Sequence, residues 1–184
     1  MSSSESAMTL RDTPVPASSK PTLHFFCGKM AAGKSTLSAQ LASELQAILV
    51  SEDLWLSRLY PDEIVTFEDY LKYAARLKEV LAPHLVALLR QGSSVVLDFP
   101  GNVPAQRQWF RTIFEAADAD HVLHYVEVSD DVCKTQLQRR NRERPPGSKV
   151  MTEDEFDHIT SFFVPPGAAE GFHVQAHRPA GARA

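Results

Sequence analysis

Residues Gly28 to Ser35 read G-K-M-A-A-G-K-S, and no other stretch restricts this chain as strongly. The run fits G-x-x-x-x-G-K-[ST] at every fixed position, the pattern of a loop that wraps a polyphosphate. Such a loop needs a strand before it and a helix after it, because backbone N–H groups and the positive helix end face the anion together. Both neighbours are legible. Thr22-Leu23-His24-Phe25-Phe26-Cys27 is a short apolar run that reads as a buried strand. From Ser35 to Gln46, Leu37, Leu41 and Leu45 recur at helical spacing, which predicts a helix with these leucines on one face. Gly28 and Gly33 supply backbone freedom at the two ends of the loop, and Met30, Ala31 and Ala32 contribute main-chain amides between them. Lys34 is expected to reach the β- and γ-phosphates of ATP, and the Ser35 hydroxyl to ligate Mg²⁺.

At 184 residues the chain is long enough for one domain with tails. Its formal net charge of −4 counts against nucleic acid as the main partner, since phosphate backbones favour strongly basic surfaces. Cys27 and Cys133 read as small core residues in a reducing compartment. No apolar run reaches membrane-spanning length, and the first residues lack the apolar stretch of a secretory signal. The expectation is a cytoplasmic protein without a membrane partner.

Residues 1–20 are rich in Ser and Pro and read as a flexible tail; the folded domain is expected over 21–176, with a second short tail at 177–184. Within the domain, short apolar runs alternate with helical stretches, the sign of an α/β fold on a parallel sheet. Strands are expected at Leu23–Cys27, Ala47–Val50, Ser94–Leu97, Val122–Val128 and Phe172–Gln175. Helices are expected at Ala105–Ala117, Asp130–Arg142 and Thr152–Phe162, besides a long one from Phe67 to Gln91. Thr66 and Asp69 form a capping box at its start, Gly92 marks its end, and Pro83 is expected to kink or split it. Five strands with crossovers behind a phosphate loop suggest a three-layer P-loop fold of the nucleoside-monophosphate-kinase type, with helices on both faces of the sheet. By that analogy the strand order is 2-3-1-4-5.

Asp98 follows Val95-Val96-Leu97, so it lies at the carboxyl edge of the sheet, over the binding crevice. It can hold Mg²⁺ there, directly or through water, or serve as a turn residue before Phe99-Pro100-Gly101-Asn102. Asp53 follows the second strand and also lies at the carboxyl edge. It can take the proton of a hydroxyl that attacks the γ-phosphate, or simply cap the helix starting at Leu54; Glu52 is the alternative carboxylate. Arg139, Arg140, Arg142 and Arg144 cluster at the far end of a helix whose buried side carries Cys133 and Leu137. Arginines bind phosphate bidentately, so the cluster with Pro145-Pro146-Gly147 beside it suits a lid over ATP; a solvated basic helix end is the alternative. Tyr70, Tyr73 and Arg76 line an acceptor pocket or belong to the core. Arg107 faces either the transferred phosphate or solvent. His121 and His124 fall on opposite faces of the fourth strand, which argues against a zinc site.

With these pieces in place the chain resembles the small kinase-like P-loop ATPases, the AAA-family ATP-binding proteins related to zeta toxins, chloramphenicol phosphotransferase and the kinase part of polynucleotide kinases. The resemblance runs from Thr22 to Val174 through G-K-M-A-A-G-K-S-T, S-E-D-L-W, V-V-L-D-F-P-G-N with Arg107 behind it, L-Q-R-R-N, and F-F-V-P-P followed by E-G-F-H-V. It implies that Lys34, Ser35 and Thr36 hold phosphate and Mg²⁺, that Asp53 activates the acceptor, and that Asp98 is the strand-three acid. It also implies that Arg140 is the lid arginine and that Pro165 and Pro166 fall near the adenine. The expected activity is transfer of the γ-phosphate of ATP to a hydroxyl of a small-molecule acceptor. The alternatives are an ATP-hydrolysing regulatory module and a polynucleotide 5′-hydroxyl kinase.

Overall fold

The computed structural model describes residues 20–144 and 150–178; the Pro145-Pro146-Gly147 loop and most of both expected tails lie outside them. Among the described residues, five strands form one all-parallel sheet: β1 (Thr22–Cys27), β2 (Ile48–Ser51), β3 (Val95–Pro100), β4 (Asp120–Val126) and β5 (Val174–His177). Their order is β2-β3-β1-β4-β5, as expected. The helices are α1 (Lys34–Leu45), α2 (Glu52–Leu59), α3 (Phe67–Arg90), α4 (Pro104–Ala117), α5 (Asp130–Glu143) and α6 (Glu153–Thr160), and a single 3₁₀ turn covers Ala168–Glu170. Among the described residues no helix is long and apolar enough to cross a membrane.

Strand alternation sorts the core into two layers. Leu23, Phe25 and Cys27 of β1 and Val95, Leu97 and Phe99 of β3 pack with α2, α3 and α4. Phe26 and Val96 point the other way and pack with Ala42 of α1, Cys133 and Leu137 of α5 and Phe156 of α6. Both central strands are covered on both faces, as a parallel sheet requires.

Several boundaries differ from expectation for reasons the pairing makes plain. β3 continues to Pro100, because Phe26 of β1 pairs with Pro100 after a shift in register. Asp98 therefore sits inside β3, opposite Ser51, and not at its end. β4 starts earlier, at Asp120, where its backbone N–H donates to Pro21. α3 stays one helix through Pro83: its buried stripe of Ala74, Leu77, Leu81, Leu85 and Leu89 spans the proline on both sides, and this packing outweighs the missing hydrogen bond. On α1 the buried positions are Ser38 and Ala42, while Leu37 and Leu41 are only partly covered and Leu45 is 48% exposed. Small side chains on the inner face let this helix lie close to the sheet, so the leucines flank the contact.

Candidate active site

The phosphate loop follows β1 at the carboxyl edge of the sheet. Gly28 is required by space: a Cβ there would stand 2.8 Å from the Val126 carbonyl oxygen. Its amide donates to Oδ1 of Asn102, 3.0 Å away. Ala32 N–H closes a turn onto the Lys29 carbonyl at 3.2 Å, Ala31 takes a positive φ of 56°, and Gly33 enters α1 at φ 98°. With Ala32 between them, the left-handed residues Ala31 and Gly33 turn main-chain amides to one side and form an anion-binding concavity. Met30 and Ala31 are half-buried and Ala32 buried, while Thr36 is exposed on the first turn of α1.

Lys34 curls back over the loop, and its Nζ donates to the carbonyls of Gly28 at 2.6 Å and Lys29 at 2.8 Å. Burial pushes its pKa below the usual ammonium value, and the charge of Asp98 offsets part of that. Ser35 Oγ donates to Asp98 Oδ1 at 3.2 Å, and Ser51 Oγ donates to the other carboxylate oxygen at 3.3 Å. Ser51 and Asp98 are register partners on neighbouring strands, so this contact follows directly from the pairing. Burial raises the Asp98 pKa, against the opposing effect of the Ser35 hydroxyl and the Lys34 charge.

The chain turns directly from β2 into α2, and this turn separates two adjacent carboxylates. Glu52 is buried, 1% exposed, and points toward α3. It accepts a 2.7 Å hydrogen bond from the Tyr70 hydroxyl and pairs with Lys78 at 3.3 Å. Asp53 instead opens to solvent in the crevice that holds the phosphate loop. The protein around it, then the charges of Glu52 and Asp98, lift its pKa to about 6, while Arg140 and Lys34 oppose the rise. Arg140 is half-buried on α5, and its Nε is buried with no hydrogen-bond partner among the described residues. Desolvation lowers its pKa and the charge of Asp53 raises it. Lys34, Ser35, Asp53, Asp98 and Arg140 thus share one crevice. Arg144 ends α5 with φ 45° and is exposed, and Arg139 pairs with Glu143 at 2.6 Å on the outer surface. Tyr73 packs at a tilt against Tyr60, 4.2 Å between ring centroids, so it serves the packing of α2 on α3, and Arg76 lies over the Tyr73 ring.

One placement corrects the sequence reading and another adds to it. Arg107 faces neither phosphate nor solvent: it is fully buried, with its Nε and Nη2 on the two carboxylate oxygens of Glu170 at 2.7 and 2.8 Å. His121 and His124 do lie on opposite faces, but His124 joins His24 and His177 in a hydrogen-bonded row at 3.0 and 2.9 Å across three strands. Sequence spacing held no signal for either arrangement, because the partners come from distant parts of the chain.

A parallel sheet in the order 2-3-1-4-5 with a phosphate loop after its central strand defines a kinase-like P-loop ATPase. The chain belongs to the AAA domain family, whose model matches residues 23–166. No curated protein matches the chain. Three solved structures illustrate the fold. A candidate kinase from Chloroflexus aurantiacus superposes with a TM-score of 0.68 at 18% identity, over 86% of this chain and 85% of that one. The APS kinase of Mycobacterium tuberculosis, solved with AMPPNP and APS, gives 0.62 at 15% identity over 89% and 91%. A gluconokinase from Sinorhizobium meliloti gives 0.58 at 14% identity over 90% and 86%.

Proposed function

We propose that this protein is a Mg²⁺-dependent phosphotransferase that carries the γ-phosphate of ATP to a hydroxyl of a small-molecule acceptor. The observation that carries the reading is Asp53: an accessible carboxylate with a pKa raised to about 6, in the same crevice as Lys34, Asp98 and Arg140. A regulatory nucleotide-binding module has no need of such a base, whereas a kinase does. That two solved neighbours are named kinases of small molecules, APS and gluconate, supports the same reading.

In this reading Gly28 shapes the start of the loop, the loop amides up to Lys34, among them those of Met30, Ala31 and Gly33 with Ala32 in the turn, hold the β- and γ-phosphates, and the ammonium of Lys34 moves from the loop carbonyls onto them. Asp53 accepts the proton of the acceptor hydroxyl as its oxygen bonds to the γ-phosphorus and the bond to the bridging oxygen breaks, leaving ADP. Arg140 offers its unpartnered Nε to the charge that builds up there, while Thr36 and Arg144 flank the phosphates. Ser35 and Asp98 supply the hard hydroxyl and carboxylate oxygens that suit Mg²⁺. Bound there, the ion would neutralise charge on the β- and γ-oxygens. A protein with this chemistry works where ATP is abundant, as in the cytoplasm.

Asp53→Asn keeps size and capping ability but removes basicity. Acceptor-dependent transfer is expected to fall by about 10²–10⁴-fold while ATP affinity measured by titration stays put. Unchanged transfer would reject the kinase reading and favour an ATP-hydrolysing module.

A further inference from the structure

The first turn of α2 carries Asp53, yet it lacks the cap that its sequence offers. Ser51 stands at the N-cap, but its side chain makes no cap bond; its Oγ donates to Asp98 instead, at 3.3 Å. α2 is only eight residues long, and a helix that short is marginal on its own. Its place is set by α3. At the far end the Tyr60 ring packs on Tyr73. At the near end the tie is Glu52, which is 1% exposed. Its Oε2 accepts the Tyr70 hydroxyl at 2.7 Å, and its Oε1 lies 3.3 Å from Lys78 Nζ.

Both partners are themselves held. The Tyr70 ring stacks on Phe67 at 5.9 Å between centroids, and Lys78 Nζ stands 5.6 Å from the centre of the Trp109 ring on α4. A buried carboxylate is tolerated only where its partners are in place, so the two contacts fix one direction for the Glu52 side chain. Consecutive helical residues point about 100° apart, so holding Glu52 against α3 also fixes the side to which Asp53 projects. That side is the crevice of the phosphate loop, where Asp53 feels the charges of Asp98, Arg140 and Lys34.

We infer that Tyr70 and Lys78 are positioning residues for the base: by clamping Glu52 to α3 they set the rotation of the first turn of α2 and aim Asp53 at the hydroxyl that attacks the γ-phosphate. This rests on Asp53 being the base. The test follows ADP release from Mg²⁺-ATP with water as the acceptor, beside ATP affinity by titration calorimetry and thermal melts to confirm folding. Rates are compared at about pH 8, where a carboxylate with a pKa of about 6 is ionised in parent and variants alike. Tyr70→Phe keeps the ring but loses the bond to Glu52, Lys78→Met removes the cation, and Lys78→Arg keeps it. Turnover is expected to fall about 10–10²-fold in Tyr70→Phe and Lys78→Met, the loss that a misplacement of about 1 Å brings. ATP affinity is expected to hold, and Lys78→Arg to retain most of the turnover. Tyr70→Phe decides where Lys78→Met does not fold.

The sharper measurement is made in Asp53→Asn. With the base gone, adding Tyr70→Phe is expected to lower turnover no further, because the two substitutions act through one group. A full further loss in that background, or unchanged turnover in Tyr70→Phe with the base in place, overturns the inference and leaves Asp53 as the base. If Asp53→Asn alone hydrolyses ATP as fast as the parent, the base assignment falls and the clamp with it. Carbodiimide labelling with glycine ethyl ester, read by mass spectrometry, checks the clamp without turnover. Glu52 is expected to stay unlabelled in the parent and to gain label in Tyr70→Phe; equal protection in both would count against the clamp.

Discussion

Asp53 owes its pKa of about 6 to a contest: desolvation by the crevice walls around it and the negative charges of Glu52 and Asp98 push it up, and Arg140 and Lys34 pull it down. A base must be ionised to accept a proton, so transfer is expected to fall as the pH drops through about 6 and to level off above it. Glu52→Gln removes the largest charge that raises it, so the acid limb of the rate profile should move to lower pH. A limb at the same pH in parent and variant would show that another group governs it. The neighbouring pair Glu52 and Asp53 also marks how far residues speak for themselves. Both carboxylates were legible at the end of the second strand. That one turns inward to Tyr70 and Lys78 and the other outward to the crevice depends on where α3 packs. The burial of Arg107 was not legible, since its partner Glu170 is 63 residues away.

Local signals decide helix ends more firmly than helix faces. The start of α3 was readable because a capping box involves only near neighbours: Thr66 Oγ1 accepts the Asp69 amide at 3.1 Å, and Asp69 returns a bond to the Thr66 amide at 2.9 Å. Thr66→Ala is expected to cost about 1 kcal/mol. For a domain of this size that lowers Tm by about 2–4 °C, which calorimetry would detect, and an unchanged Tm would mean that packing alone holds the end of α3. The course of α3 through Pro83 and the burial of Ser38 and Ala42 on α1 were not readable in the same way. A proline disfavours the helix interior, and leucines favour burial, yet both preferences yield to the surface against which the helix is pressed.

Across the whole molecule, the row His24–His124–His177 ties β1, β4 and β5 together on the α1 side of the sheet. A neutral imidazole has one donor and one acceptor, which suits such a row. Desolvation pushes all three pKa values down, and His124 falls to about 3. The unfolded chain takes up protons below its ordinary histidine pKa of about 6.5, while the folded one refuses them. The stability is thus present above about pH 6.5 and is lost as the pH falls toward about 3. The urea midpoint is expected to drop between about pH 7.5 and about pH 5, and to drop less in His124→Gln. Equal drops in parent and variant would show that other groups cause the acid sensitivity. What the chain declares by itself is whatever rests on near neighbours and on period: the phosphate loop between strand and helix, the alternation that makes a parallel sheet, the cap of α3, and the acids that follow the second strand. Register, the choice between inward and outward carboxylates, the buried Arg107–Glu170 pair and the histidine row were decided only by the tertiary structure. Each of these joins residues far apart in sequence, and desolvation, which fixes their charge, exists only once the layers have closed.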